Sequence, residues 1–89
     1  MKRFQIRVYG RVQGVSFRAW CKEQALANGL VGWVRNEANG SALIELEGDN
    51  IAIQKVVEAC LSGPELAVVT DVATKEISLK KETHFEIHS

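Results

Sequence analysis

The chain has 89 residues, of which 46% are apolar and 25% are charged, a size and composition that predict one folded domain over residues 1–89. Eleven basic and eleven acidic residues cancel, and since nucleic-acid binding rests largely on cationic side chains, no DNA or RNA partner is expected. No apolar run approaches the roughly 20 residues of a membrane span, and the alternating N-terminus differs from a signal peptide, so we expect a cytoplasmic protein.

The spacing of apolar residues predicts five strands and two helices. Alternation of apolar and polar residues at the N-terminus indicates a strand, and apolar residues three and four positions apart indicate the helices. Asp49 is expected to cap the second helix, which Gly63-Pro64 follows. The predicted elements are a strand to Gly10, a helix from Ser16 to Asn28-Gly29, strands over 30–36 and 41–47, a helix over 51–61, a strand over 67–74, and a short strand at Phe85 and Ile87.

This order, β-α-β-β-α-β plus a final strand, predicts the ferredoxin-like α+β fold, an antiparallel sheet with two helices on one face. In the last strand, Phe85 and Ile87 are expected to face the core. The charged segment 75–82 is expected to be an exposed connection. No long apolar surface stripe remains after the core is assigned, so we expect a monomer.

The first loop has the chemistry of an anion site. Residues 10–18 read Gly-Arg-Val-Gln-Gly-Val-Ser-Phe-Arg and lead into a helix N-terminus, where backbone N–H groups lack helical partners and the helix dipole is positive. Glycine lets the backbone approach a ligand closely, and the guanidinium of Arg18 matches two phosphate oxygens. The alternative is a tight loop with an ordinary surface arginine, since the spacing fits neither a P-loop nor a dinucleotide-binding loop.

Two stretches of the chain resemble the signatures of the acylphosphatase family. Residues 10–18 are similar to G-x-V-Q-G-V-x-[FM]-R, and residues 32–40 are similar to G-[FYW]-V-x-N-x-x-x-G. Ala42 stands where the family usually has Val, and a weaker third pattern begins at Gly63-Pro64. The motifs occur in order at matching separations, so the resemblance covers nearly the whole chain.

The resemblance implies an acylphosphatase, which hydrolyses acyl phosphates such as acetyl or carbamoyl phosphate to a carboxylate and inorganic phosphate. It implies that Arg18 binds the phosphate and that Asn36 places the attacking water. It implies no metal and no cofactor, and no partner besides the acyl phosphate and inorganic phosphate. The implied phosphate-binding loop consists of the backbone amides of Gln13, Gly14, Val15, Ser16, Phe17 and Arg18.

The residues are consistent with that chemistry. An acyl phosphate expels a carboxylate, which leaves without a proton, so the site needs charge neutralisation and a positioned water rather than a general acid. A carboxamide oxygen can accept a hydrogen bond from water and orient it. Without the motif, however, Asn36 before a hairpin reads as a turn residue.

Other functions on the same fold were weighed. An RNA-binding module would display aromatic residues on its central strands, but strand 41–47 has none. A metal chaperone would need a C-x-x-C loop, which is absent. A domain of a larger carbamoyl-transfer enzyme and a phosphate sensor without turnover remain as alternatives.

Four further side chains and the end of the chain bear on the site. Cys21 and Cys60 are expected to be buried free thiols. His84 and His88 are expected to lie on an exposed face, because no cysteine or carboxylate cluster joins them as metal ligands. The chain reads His-Ser where many members of the family have Arg-Tyr, a departure that puts in doubt any support of Arg18 from the C-terminus.

Overall fold

The computed structural model describes residues 1–89 and contains the predicted elements in the predicted order. The elements are β1 (Lys2–Arg11), α1 (Phe17–Ala27), β2 (Val31–Asn36), β3 (Ala42–Gly48), α2 (Asn50–Cys60), β4 (Val68–Ile77) and β5 (Phe85–Ile87). Their ends lie close to the predicted ends, except that β4 runs beyond residue 74 to Ile77. It does so because it pairs with β1 along almost its whole length, from Val68 opposite Arg11 to Ile77 opposite Arg3.

The five strands form one sheet in the order β4-β1-β3-β2-β5. The first four strands are antiparallel to their neighbours, as predicted. The last strand, β5, pairs parallel with β2, so the sheet is mixed rather than wholly antiparallel. The chain reverses after β4 and crosses to the opposite edge of the sheet. Because β2 also runs opposite to β4, a strand that returns there must be parallel to β2.

Both helices pack on one face of the sheet over a core of 16 buried residues. The predicted cap is present, since the Asp49 side chain accepts a hydrogen bond from the Ala52 amide at 3.2 Å. Cys21 and Cys60 are buried and unpaired, as expected. Burial raises the pKa of Cys60 to about 12 and that of Cys21 well above its ordinary value. Neither helix, at 11 residues each, could cross a membrane.

The sheet face opposite the helices, here called the open face, carries a buried charge cluster that the sequence analysis did not anticipate. Arg3 has no exposed surface and donates hydrogen bonds to Glu45 at 2.8 Å, Glu47 at 3.2 Å and Glu82 at 2.7 Å. Lys80 adds its backbone amide on Glu47 and its ammonium on Glu45. Burial alone would raise the pKa values of Glu45 and Glu47, but these hydrogen bonds hold both below the ordinary 4.5.

The prediction of an exposed connection over 75–82 is confirmed only for residues 78–82, four of which are exposed, and the cluster ties this part of the chain to the sheet. The first three residues of this segment belong to β4, and Lys80 and Glu82 fasten the rest to the open face. A charged segment looks like a solvated loop in sequence, because its partners lie on strands far away in the chain. In the structure, the segment carries the chain across the sheet and delivers β5 to the edge of β2.

Candidate active site

The loop between β1 and α1 has an unusual backbone. Gly14 has φ 72° and Ser16 has φ 62°, which is the left-handed region that non-glycine residues adopt only at a cost in free energy. Such residues turn successive N–H groups toward a common point, the arrangement of an anion-binding nest. No backbone carbonyl of the chain accepts a hydrogen bond from the amides of residues 13–18. The loop therefore presents unpaired donors at the N-terminus of α1.

Apolar side chains hold this loop from below. Val12, Val15 and Phe17 belong to the core and are at most 8% exposed, and the Phe17 ring packs against Trp20 with 5.4 Å between ring centroids. Their burial leaves the loop backbone as the surface that faces outward.

The side chain of Gln13 ties the loop to the β2–β3 hairpin. Its Nε2 donates to the carbonyl oxygen of Glu37 at 2.7 Å and to that of Ser41 at 3.2 Å. The sequence analysis considered only the backbone amide of Gln13. The partners lie 24 and 28 positions away, so no local pattern points to the contact. It fixes the loop relative to the strand that ends at Asn36.

Arg18 lies in the first turn of α1 and is half-buried. Its Nη1 donates to the backbone carbonyl of His88 at 2.9 Å, and it forms no ion pair with any carboxylate of the chain. The chain thus supports Arg18 from beyond β5 through a main-chain oxygen, which requires no particular side chain. The remaining guanidinium donors and the positive charge stay available.

Asn36 is the last residue of β2, and its Oδ1 is buried without a hydrogen-bond donor from the chain. A buried acceptor left unpaired costs about 1–3 kcal/mol, so such an atom calls for an explanation. Asn36 lines a cavity of about 260 Å³ together with Arg18, the other predicted catalytic residue. The lining residues are Val12, Gly14, Ser16, Phe17, Arg18, Ala19, Asn36 and Ile87.

The cavity brings together Arg18, Asn36 and part of the predicted loop, but not the side chains of Gln13 and Val15, which point elsewhere. It also contains Ile87. The expectation that Ile87 faces the core was wrong, because its side chain is 42% exposed at the cavity. Phe85 is buried as predicted, at 3% exposure. Ile87 lies at the cavity beside the first turn of α1, where Phe17, Arg18 and Ala19 also line it.

No carboxylate, histidine or cysteine lines the cavity, and its one hydroxyl, that of Ser16, has no general base among the lining residues to activate it. Glu37 follows Asn36 in sequence but forms ion pairs with Arg7 at 3.2 Å and Arg35 at 2.9 Å. The hydrogen bond from Arg7, aided by Arg35, holds the pKa of Glu37 below its ordinary 4.5. Glu37 is therefore ionised near neutral pH and engaged outside the cavity, so it is unsuited to donate a proton there.

The two histidines do not gather with other ligands, and no three His, Cys, Asp or Glu side chains form a metal-binding group. His84 is exposed, as expected. His88 is half-buried instead: its ring stacks on Trp33 with centroids 5.2 Å apart and planes 13° apart. Its Nε2 lies 3.5 Å from a carboxylate oxygen of Glu86.

The fold and this cavity define a ferredoxin-like α+β protein with an anion-sized site at a helix N-terminus, and comparison with known proteins specifies the family. A family model described as Acylphosphatase matches residues 4–87. An acylphosphatase of Mesorhizobium japonicum is 48% identical over 73 residues, which cover 82% of this chain and 78% of that relative. One from Oceanobacillus iheyensis is 39% identical over 89 residues and 98% of each chain. The crystal structure of acylphosphatase from Bacillus subtilis matches over 100% of both chains with a TM-score of 0.97 and 39% identity. The chain belongs to the acylphosphatase family, and its activity is that of an acylphosphatase, a hydrolase.

Proposed function

We propose that the chain hydrolyses acyl phosphates through attack by a water held at Asn36 on a phosphate bound by Arg18 and the loop amides. The observation that carries the proposal is the buried, unpaired Oδ1 of Asn36, a residue that lines the same cavity as an arginine without a carboxylate partner. An unpaired oxygen acceptor and a cation without a counter-charge, on two residues that line one cavity, suit a ligand that needs both.

Phosphate binding follows from the loop. Its oxygens accept hydrogen bonds from unpaired amides at the positive end of α1, and a guanidinium can bind two of them at once. The loop is already in shape before the ligand arrives, since its buried side chains and Gln13 hold it. The proposed amide donors are those of Gln13, Gly14, Val15, Ser16, Phe17 and Arg18.

The chemical step requires little more than position and charge. The Asn36 oxygen accepts a hydrogen bond from water, which directs a lone pair of the water oxygen toward phosphorus. A bond forms between that oxygen and phosphorus while the bond from phosphorus to the acyl oxygen breaks. The electron pair leaves with the carboxylate, and the attacking water releases its proton to solvent. Arg18 and the loop amides stabilise the charge on the phosphoryl oxygens throughout.

The leaving group decides which substrates react. A carboxylate leaves as an anion, whereas a simple alkyl phosphate must expel an alkoxide, which needs a general acid. The cavity lining contains no such acid, so we expect weak or absent hydrolysis of alkyl phosphates. We further propose that residues 1–89 act as a monomeric single domain, which light scattering would test. The zero net charge supports the absence of a nucleic-acid partner.

The experiment is hydrolysis of benzoyl phosphate in excess chelator. Wild type should turn over with metal removed, and Arg18→Ala should lose at least about a hundredfold in kcat/KM. Arg18→Lys should recover only part, because lysine lacks the planar fork that binds two oxygens. Arg11→Ala is the matched control, since Arg11 is exposed at the start of the same loop and has no side-chain partner.

Three results would contradict the proposal. One is full activity in Arg18→Ala, another is loss of activity on chelation, and the third is equal hydrolysis of an alkyl phosphate. An inactive wild type that inorganic phosphate still protects from unfolding would favour the phosphate-sensor alternative.

A further inference from the structure

His88 links the open face of the sheet to the guanidinium in the cavity, through its ring on one side and its main chain on the other. Its carbonyl oxygen accepts from Arg18 at 2.9 Å, and its amide donates to the carbonyl of Val34 at 2.8 Å. Its ring stacks nearly parallel on Trp33, a residue of β2. The main chain of His88 is therefore hydrogen-bonded to α1 and to β2, and its ring packs on Trp33.

Besides the ring stack, only these two main-chain hydrogen bonds and the approach of its Nε2 to Glu86 at 3.5 Å fix the position of His88. The strand β5 has three residues and pairs only with β2, and short edge strands at the end of a chain fray readily. His88 lies one position beyond the last paired residue, Ile87. The ring stack is therefore the main side-chain contact that holds the His88 carbonyl in place.

Trp33 has contacts of its own besides the stack on His88. Arg35 lies over it with 5.0 Å from Cζ to the ring centroid, and the Trp33 backbone pairs with Glu45 on β3 and Glu86 on β5. A flat indole is a suitable platform for an aromatic side chain, and stacked aromatic pairs stabilise by more than their buried area alone.

We propose that His88 is a positioning residue for the reaction: its stack on Trp33 holds the carbonyl that orients the Arg18 guanidinium toward the phosphate. The inference rests on the proposed function, since it assigns Arg18 to the phosphate. His88 touches neither substrate nor reacting atoms. Any flat aromatic ring at this position should serve, because the property used is stacking and not the imidazole nitrogens.

The test uses His88→Ala and His88→Phe, with His84→Ala as the matched control. His84 is an exposed histidine just before β5, and its ring contacts only its neighbour Thr83. In His88→Ala, the KM for benzoyl phosphate and the inhibition constant of inorganic phosphate should rise about tenfold, the effect of one misaligned charge-assisted hydrogen bond. The kcat should change less than threefold, because Asn36 and the loop amides are untouched. His88→Phe should restore both constants to within about threefold, and His84→Ala should match wild type.

A spectroscopic readout separates positioning from loss of structure. Trp20→Phe leaves Trp33 as the only tryptophan, so the emission of this variant reports the stack. Coupling is reciprocal, so phosphate bound at Arg18 should change the Trp33 emission. The change should disappear with His88→Ala and return with His88→Phe in the same background.

The inference is overturned by wild-type KM and phosphate inhibition in His88→Ala, or by a His88→Phe variant as impaired as His88→Ala. It is also overturned if the phosphate-induced emission change persists without the ring. Failure of the proposed function is a different result, namely no turnover by wild type. In that case the affinity for inorganic phosphate, compared among the same variants, still decides the role of His88.

Discussion

Two asparagines at one tight turn, Asn36 and Asn39, allow the catalytic role that we propose for Asn36 to be separated from a structural one. The Oδ1 of Asn36 accepts no hydrogen bond from the chain, whereas the Oδ1 of Asn39 accepts two, from the Ser41 amide at 3.0 Å and the Ser41 hydroxyl at 2.6 Å. Replacement of each by alanine should therefore give opposite results in stability and activity.

The magnitudes follow from what each substitution removes. Asn36→Ala breaks no hydrogen bond within the chain, so the free energy of unfolding should stay within about 1 kcal/mol of wild type. Asn39→Ala breaks two hydrogen bonds of about 0.5–1.5 kcal/mol each, so it should destabilise by about 1–3 kcal/mol. Loss of the group that places the water should lower kcat of Asn36→Ala by about 10²–10³, which equals about 2.7–4 kcal/mol of transition-state stabilisation. Asn39→Ala should keep kcat within about tenfold.

The assay pairs urea unfolding, followed by circular dichroism, with initial rates on benzoyl phosphate at saturating substrate. The reasoning is refuted if Asn36→Ala destabilises the fold as much as Asn39→Ala does and keeps kcat within tenfold of wild type. The Asn36 carboxamide would then be a turn residue, as its position before a hairpin suggests on sequence grounds.

Three more predictions concern the loop, the charge cluster and the thiols. Gln13→Ala removes the two hydrogen bonds between the loop and the hairpin, so the loop should be less well positioned and the KM for benzoyl phosphate should rise severalfold. An unchanged KM would show that the loop keeps its conformation without them. Because the folded-state pKa values of Glu45 and Glu47 lie below 4.5, the stability they contribute is complete above that pH. It is lost as the pH falls through the folded-state values, and urea unfolding from neutral pH to about pH 3 checks this. Both cysteines are buried and have raised pKa values. An aromatic disulfide reagent should therefore label them only as fast as the protein unfolds. Rapid labelling of the native protein would contradict this.

The order of the elements could be predicted from sequence because it depends on local spacing. Alternation over β1 and helical spacing over α1 depend on residues a few positions apart, and the Asp49 cap depends on an amide three positions away. These patterns report which face of an element is apolar, and so they predict a sheet covered by two helices. Likewise, both motifs lie in short stretches, and the two residues they single out, Arg18 and Asn36, line one cavity.

The remaining features depend on contacts between distant residues. Glu82 bonds to Arg3 from 79 positions away, and Gln13 bonds across 24 positions to the hairpin. The parallel pairing of β5 depends on where a connection crosses the sheet, and the exposure of Ile87 depends on the cavity that it shares with the first turn of α1. An alternating pattern predicts which side of a strand a residue occupies, but not whether another element covers that side.

The contrast between Arg3 and Arg18 shows what the structure adds to the choice of functional residues. In sequence both are single arginines next to apolar residues. Arg3 is fully buried, and three carboxylates accept its hydrogen bonds and neutralise its charge. Removal of Arg3 would leave buried carboxylates unpaired, which lowers the free energy of unfolding by about 3–5 kcal/mol. Arg18 is half-buried beside an unpaired amide oxygen and bonds only a neutral carbonyl. A cation without a counter-charge inside a cavity lowers the free energy of a bound anion rather than that of the fold. The satisfied arginine therefore belongs to the stability of the sheet, and the unsatisfied one is the arginine to which we assign the phosphate.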